Sequence, residues 1–144
     1  MFEGCGTALV TPFKQDLSLD EETLRALVRR QIADGIHFLV PCGTTGESPT
    51  LTHKEHLRVV EITLEEAKGK APVMAGCGGY STAEVIELAK ELEALGADGG
   101  TSTTTAGTIV RLLKYRGNPP VPEAEFAIIL GMTNGPRRLG PRSR

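Results

Sequence analysis

The chain has no apolar run long enough to cross a bilayer, no excess of charge of either sign and no closely spaced cysteines, and each absence removes a class of function. Its 144 residues, 40% hydrophobic and 24% charged, have the composition of one globular domain. Nothing approaches the roughly 20 consecutive apolar residues of a membrane helix, so no membrane contact is expected. The formal net charge is −2 with acids and bases interspersed, which leaves no basic field for nucleic acid. Met1-Phe2-Glu3-Gly4 lacks the charged and apolar blocks of a secretory signal, and the expected compartment is the cytoplasm. A small-molecule role is what these exclusions favour.

Cys5, Cys42 and Cys77 are odd in number and form no CxxC pair. Each lies in or beside an expected strand, where cysteine serves as a small buried hydrophobe, and none has the nearby His or Cys partners a metal would require. Gly76-Cys77-Gly78-Gly79 lacks both the full dinucleotide fingerprint and the lysine of a phosphate loop, so it reads as a tight turn.

What is present is an alternation. Short apolar runs at residues 7–10, 36–41 and 72–77 alternate with amphipathic segments, as in parallel strands joined by crossover helices. Each helix is expected to open with a capping box: Ser18 to Glu21, Thr52 to Glu55, Ser81 to Glu84. The first helix carries an apolar stripe of Leu24, Leu27, Val28 and Ile32, and the second one of Leu57, Val60, Leu64 and Ala67. The third stripe is Val85, Leu88, Ala89, Leu92 and Leu95, and Gly96 supplies a left-handed stop. The class is α/β. A unit recurring about every 30–36 residues fits either a (β/α)8 barrel or a doubly wound sheet, and the pattern alone does not separate them.

Gly43-Thr44-Thr45-Gly46-Glu47 follows directly on Phe38-Leu39-Val40-Pro41, placing paired hydroxyls and a carboxylate where a buried strand ends. Threonines in such a loop either bond the local backbone or face a ligand. Together with Gly6-Thr7-Ala8-Leu9-Val10-Thr11-Pro12-Phe13, this run resembles the two N-terminal signatures of the dihydrodipicolinate synthase and N-acetylneuraminate lyase family, the pyruvate-dependent Schiff-base aldolases. The Thr-Thr pair resembles the dihydrodipicolinate synthase branch.

The resemblance implies a (β/α)8 (TIM) barrel and a condensation of pyruvate with aspartate semialdehyde, on the way to diaminopimelate and lysine, through a lysine Schiff base and without a cofactor. It gives Thr44 a place in a hydroxyl proton relay and Thr45, with its backbone amide, the pyruvate carboxylate; Glu47 is read as a loop anchor. It also implies a lysine feedback site around Ser48, His53, His56 and Glu84, from which Tyr80 and Pro49 depart. The alternative for His53 and His56 is a pair of helix-surface histidines at i and i+3. The partners implied are pyruvate and a small aldehyde.

The resemblance covers residues 4–99 and fails over the stretch that follows. Gly100-Thr101-Ser102-Thr103-Thr104-Thr105-Ala106-Gly107 stands where the family has its fourth strand and a Pro-Tyr-Tyr run, and it reads as a poorly packed junction. Residues 118–139, opening on Asn118-Pro119, are similar to the family's C-terminal region. The organisation expected is a partial barrel of about three βα units in residues 1–99, a Thr-rich junction at 100–107, and an irregular or helical segment at 108–144. That segment ends in a basic tail of Arg137, Arg138, Arg142 and Arg144, either solvated or holding an acidic partner. A whole barrel takes about 250 residues, so the chain reads as internally shortened and, with its sheet edge open, prone to self-association.

No motif matches the family's Schiff-base lysine. Lys14, Lys54, Lys68, Lys70 and Lys90 fall in turns or on polar helix faces, and Lys114 has apolar neighbours but no evident burial. Tyr80 and Tyr115 match neither of the family's relay tyrosines. The activity expected is therefore that of an impaired synthase; the alternative is a non-catalytic fragment or interaction module.

Overall fold

A computed structural model describes residues 2–101, which fold as an alternation of short parallel strands and helices. In chain order these are β1 (Gly6–Ala8), α1 (Glu21–Ala33), β2 (Phe38–Val40), α2 (His53–Ala67), β3 (Met74–Gly76), α3 (Thr82–Leu95) and β4 (Gly99–Thr101). Two single 3-10 turns, Thr44–Gly46 and Ser48–Thr50, lie between β2 and α2. No helix among the described residues is long and apolar enough to cross a membrane.

The strands stand side by side in the order in which they are made. β1 pairs with β2 in parallel, Gly6 opposite Phe38 through Ala8 opposite Val40. β3 pairs with β4 in the same sense, Met74 opposite Gly99 through Gly76 opposite Thr101. A parallel bridge between Leu39 and Val73 joins the two pairs, reinforced by Leu39 N–H donating to the Pro72 carbonyl and Gly76 N–H to the Pro41 carbonyl, each at 2.9 Å. A doubly wound sheet reverses its strand order at a switch point; among the described strands there is no reversal.

The core lies between the strands and the helices. Leu24 and Val28 of α1, Leu39 of β2, Val59, Val60 and Ile62 of α2, Ala75 of β3 and Leu92 of α3 are all essentially removed from solvent. Each large apolar side chain so buried is worth about 1.5–3 kcal/mol. On the other face of β2, Phe38 packs edge-to-face against Phe2 with ring centroids 5.4 Å apart.

The helix ends follow the sequence unevenly. Thr52 and Glu55 form the complete reciprocal box at the start of α2. Ser81 caps α3 through its hydroxyl alone, accepting from Glu84 N–H at 3.4 Å. The first box does not form: Ser18 is engaged by Asp16, whose Oδ1 accepts from its amide and hydroxyl at 3.0 and 2.6 Å. Asp20 caps α1 instead, its carboxylate accepting from the amide and hydroxyl of Thr23. Gly96 ends α3 at φ 97°, as its sequence position predicts.

Three expectations are corrected. A fourth strand does form, at Gly99–Thr101, where the Thr-rich stretch was expected to stand in place of the family's strand as a poorly packed junction; backbone pairing to β3 suffices without large side chains. Cys5 is exposed, whereas Cys42 and Cys77 are buried as read. The buried stripe of α2 is rotated from the expected one and runs His56, Val59, Val60, Thr63 and Ala67, leaving Leu57 and Leu64 partly buried at its flank. The rest of the junction, from 102 to 107, and the segment 108–144 lie outside the described residues.

Candidate functional site

The chain leaves β2 through a compact double turn. After Pro41, Cys42 takes the left-handed conformation at φ 54°, unusual for a residue with a side chain and costing about 1 kcal/mol or more. Room for it comes from Gly76 at the end of β3: a Cβ there would stand 1.9 Å from the Cys42 carbonyl oxygen. The strand ends can approach so closely only because that position is glycine.

Gly43 then opens the first 3-10 turn with no side chain capping it. The Gly46 amide donates to the Gly43 carbonyl at 3.0 Å and the Glu47 amide to that of Thr44 at 3.1 Å, closing a rigid turn. Thr44 and Thr45 are exposed on it. Among the described residues neither hydroxyl bonds another protein group, whereas Thr50 turns its hydroxyl back to the Glu47 carbonyl at 2.9 Å. At φ 54° the Glu47 carbonyl also accepts from the Thr50 amide.

The two sequence motifs meet here. Thr11, three residues beyond β1 and 5% exposed, donates its hydroxyl to the Gly46 carbonyl at 2.7 Å. The Leu9 amide donates to the Val40 carbonyl at 3.0 Å, tying the exit of β1 to the end of β2. Beneath the turn, His56 reaches from α2 to the Gly76 carbonyl, with Nε2 at 2.7 Å. A carbonyl can only accept, so Nε2 carries the proton. The Cys42 thiol sits 3.7 Å from the His56 carbonyl. Burial lowers the pKa of His56, opposed by its bond to Gly76 and aided by nearby His53. It also pushes the Cys42 thiol up to about 12 and that of Cys77 to about 11, so neither is a nucleophile.

A model of the Dihydrodipicolinate synthetase family matches residues 1–104. The chain belongs to that family. It is 63% identical over 97 residues to the 4-hydroxy-tetrahydrodipicolinate synthase of Rhodopseudomonas palustris, an alignment covering 67% of this chain and 32% of the relative. To the enzyme of the same name from Chloroherpeton thalassium it is 58% identical over 94 residues, covering 65% and 31%. Among solved structures, the chloride-inhibited dihydrodipicolinate synthase of Acinetobacter baumannii complexed with pyruvate superposes with a TM-score of 0.71 at 38% identity, over 72% of this chain and 36% of that one. The synthase of Thermotoga maritima gives 0.69 at 47% identity, over 72% and 35%. The chain thus spans about a third of the length of the curated relatives it matches.

Of the four residues aligned by resemblance with the family's feedback site, the structure brings two to one place. His53 and Glu84 line an open cleft of about 430 Å³ between the N-terminal ends of α2 and α3, with Ala83, Ile86 and Glu87. His53 Nε2 lies 2.6 Å from Glu91 Oε2. Ser48 belongs to the second 3-10 turn. His56, only 6% exposed, turns away into the seam between α2 and β3. The picture of two surface histidines therefore holds for His53 alone.

Lys14, Lys54, Lys68, Lys70 and Lys90 are all exposed, and Lys90 pairs with Glu87 at 2.8 Å. Tyr80 is 96% exposed. Lys114, Tyr115 and the basic tail lie outside the described residues. Sequence reasoning missed the Thr11 bond and the seam of Cys42, His56 and Gly76. A signal for the latter existed, since His56 stands three and four residues before Val59 and Val60 on one helix face.

Proposed function

We propose that residues 2–101 are the opening four strands of a (β/α)8 barrel of the dihydrodipicolinate synthase type, and that the turn after β2 is the hydroxyl half of a pyruvate site. The observation that carries this is the junction of the two family motifs, Thr11 bonded to Gly46 beside an exposed Thr44-Thr45 pair at the C-terminal ends of adjacent parallel strands. That end of a barrel is where its chemistry is kept. Thr45, through its hydroxyl and amide, would take the pyruvate carboxylate, and Thr44 would pass a proton; both need small donors on a rigid turn. The crystallised relative with bound pyruvate supports the substrate class.

The other half of the chemistry is an amine that must be partly neutral to attack the pyruvate carbonyl, which requires burial or a neighbouring cation. Five exposed lysines do not meet that requirement. The chain is accordingly read as an impaired synthase, internally shortened, that retains a carboxylate-binding turn without a Schiff base. β1 and β4 each have one strand neighbour among the described residues, which supports self-association through an open edge.

Treating the full chain with pyruvate and sodium borohydride, then weighing it, decides the matter. No mass gain is expected. A stoichiometric increase of one reduced pyruvyl group would establish a working lysine and make the chain a complete catalyst for imine formation. Size-exclusion chromatography of the same sample separates the rival, a non-catalytic interaction module that elutes as a defined oligomer, from a chain that aggregates.

A further inference from the structure

The geometry points to Thr11 as the positioning residue of the turn that presents Thr44 and Thr45, acting through the Gly46 carbonyl; this rests on the reading of that turn as a pyruvate-binding element.

The turn has few other means of holding its place. Inside it, the amides of Gly46 and Glu47 bond backward to Gly43 and Thr44, which fixes its shape but not its position against the sheet. Its two ends are Cys42 and Glu47, both left-handed residues at φ 54°. Among the described residues, one hydrogen bond from outside the segment reaches its centre, and that bond comes from the Thr11 hydroxyl at 2.7 Å, in a setting closed to water. Gly46 is the residue next to Thr45, and its carbonyl belongs to the second peptide after the one that bears the Thr45 amide. A swing of the carbonyl therefore carries both threonine hydroxyls with it.

Thr11 has its own anchorage. It follows Leu9, whose amide is bonded to Val40 of β2, and the Pro12 carbonyl accepts from the Asp20 amide at 2.9 Å. The hydroxyl is thus held by the exit of one strand while its acceptor belongs to the exit of the next. Such a cross-strand clamp sets the orientation of a binding group without touching the ligand. A misplacement of about 1 Å in a group held this way is enough to cost a large factor in binding or rate.

Three forms of the full chain test the assignment: wild type, Thr11→Val, which keeps the shape and loses the donor, and Thr11→Ser, which keeps the donor. Each is isotope-labelled and titrated with pyruvate while the backbone amide signals of residues 43–47 are followed, and amide exchange is measured at Gly46 and Glu47. In wild type, pyruvate should shift the Thr44 and Thr45 signals. Thr11→Val should weaken that response about tenfold, the equivalent of one hydrogen bond, and speed exchange at both amides, with signals of the helices unchanged. Thr11→Ser should restore both. A purely structural role would lower the denaturation midpoint and leave the pyruvate response intact.

Equal pyruvate affinity in wild type and Thr11→Val overturns the assignment. Absence of any pyruvate shift in wild type overturns the pyruvate reading itself, and with it the role of Thr11 in ligand positioning. Exchange rates then show whether Thr11 still clamps the turn as a structural bond, so the two failures are distinguishable.

Discussion

The outer faces of α1 and α2 and the C-terminal ends of the strands are joined by opposite means. Outside, Arg25, Arg29 and Arg58 interlock with Glu21, Glu61, Glu65 and Glu66: Arg29 is paired to Glu66 at 2.7 Å, and Arg58 to Glu21 and Glu61 at 2.6 Å each. At the strand ends the ties are neutral and buried, namely Thr11 to Gly46, His56 to Gly76 and the contact of Gly76 with Cys42. Ion pairs that water still reaches contribute little apiece, because both charges stay partly solvated and their long side chains lose entropy; Arg25 and Glu66, at 18% and 14% exposure, are the most withdrawn of them. A buried acceptor deprived of its donor costs its full desolvation. The buried ties at the strand ends are therefore costlier to break one by one than the ion pairs of the helix faces.

The contrast predicts an order of effects. Gly76→Ala should be the most damaging change, about 3 kcal/mol or more by denaturant unfolding, because its Cβ must displace the Cys42 carbonyl and hence the strand end. His56→Leu comes next at about 1–3 kcal/mol, leaving the Gly76 carbonyl unpaired. It should also change the pH profile. The folded pKa of His56 is lowered from 6.5 by burial, so its neutral ring favours folding above pH 6.5 and that contribution is lost as the pH falls below it; the variant should lose this decline.

Glu66→Gln should cost about 1 kcal/mol. Hydrogen bonds from Arg29 and Arg25 hold the Glu66 carboxyl at about 2, below its ordinary 4.5. Its contribution is thus complete above pH 4.5 and disappears as the pH falls through about 2, a window separate from that of His56. Unfolding followed from pH 8 to 2 should show both declines in wild type; His56→Leu should delete the first and Glu66→Gln should shrink the second, to which Asp16, Asp20, Glu21 and Glu55, all held below their ordinary values by hydrogen bonds, also contribute. His53→Ala, at the exposed pair with Glu91, should stay within about 0.5 kcal/mol of wild type. If the Glu66 change proved worse than the His56 change, the contrast would be reversed.

Local chemistry was legible where one residue had one use. Thr52 and Glu55 had no competing partner and made the full box, and Gly96 stopped its helix. Ser18 had a competitor in Asp16, two residues back, and the cap moved to Asp20. β4 was illegible because Gly99, Gly100 and Thr101 carry little apolar surface; its register comes from Met74–Gly76 beside it. Nor is its approach to β3 local: Asp98, 25 residues from Val73 in sequence, accepts the Val73 amide with its carboxylate at 2.9 Å.

For the candidate site, the sequence placed Thr44 and Thr45 on a turn after an apolar strand, and the structure exposes both there. His56 was read through its spacing to His53, which is a surface argument. Its spacing to Val59, Val60 and Thr63 is the one the fold uses, since a helix packs the face with the most apolar neighbours. The Thr11 bond joins residues 35 apart in sequence and needed the third dimension to be seen.

A crystal of the full chain soaked in pyruvate tests the central claim most directly. The account predicts the intact keto acid seated with its carboxylate against Thr45, beside Thr44, and joined to no lysine. Density continuous between the pyruvate carbon and a lysine Nζ, or pyruvate bound away from that turn, would contradict it.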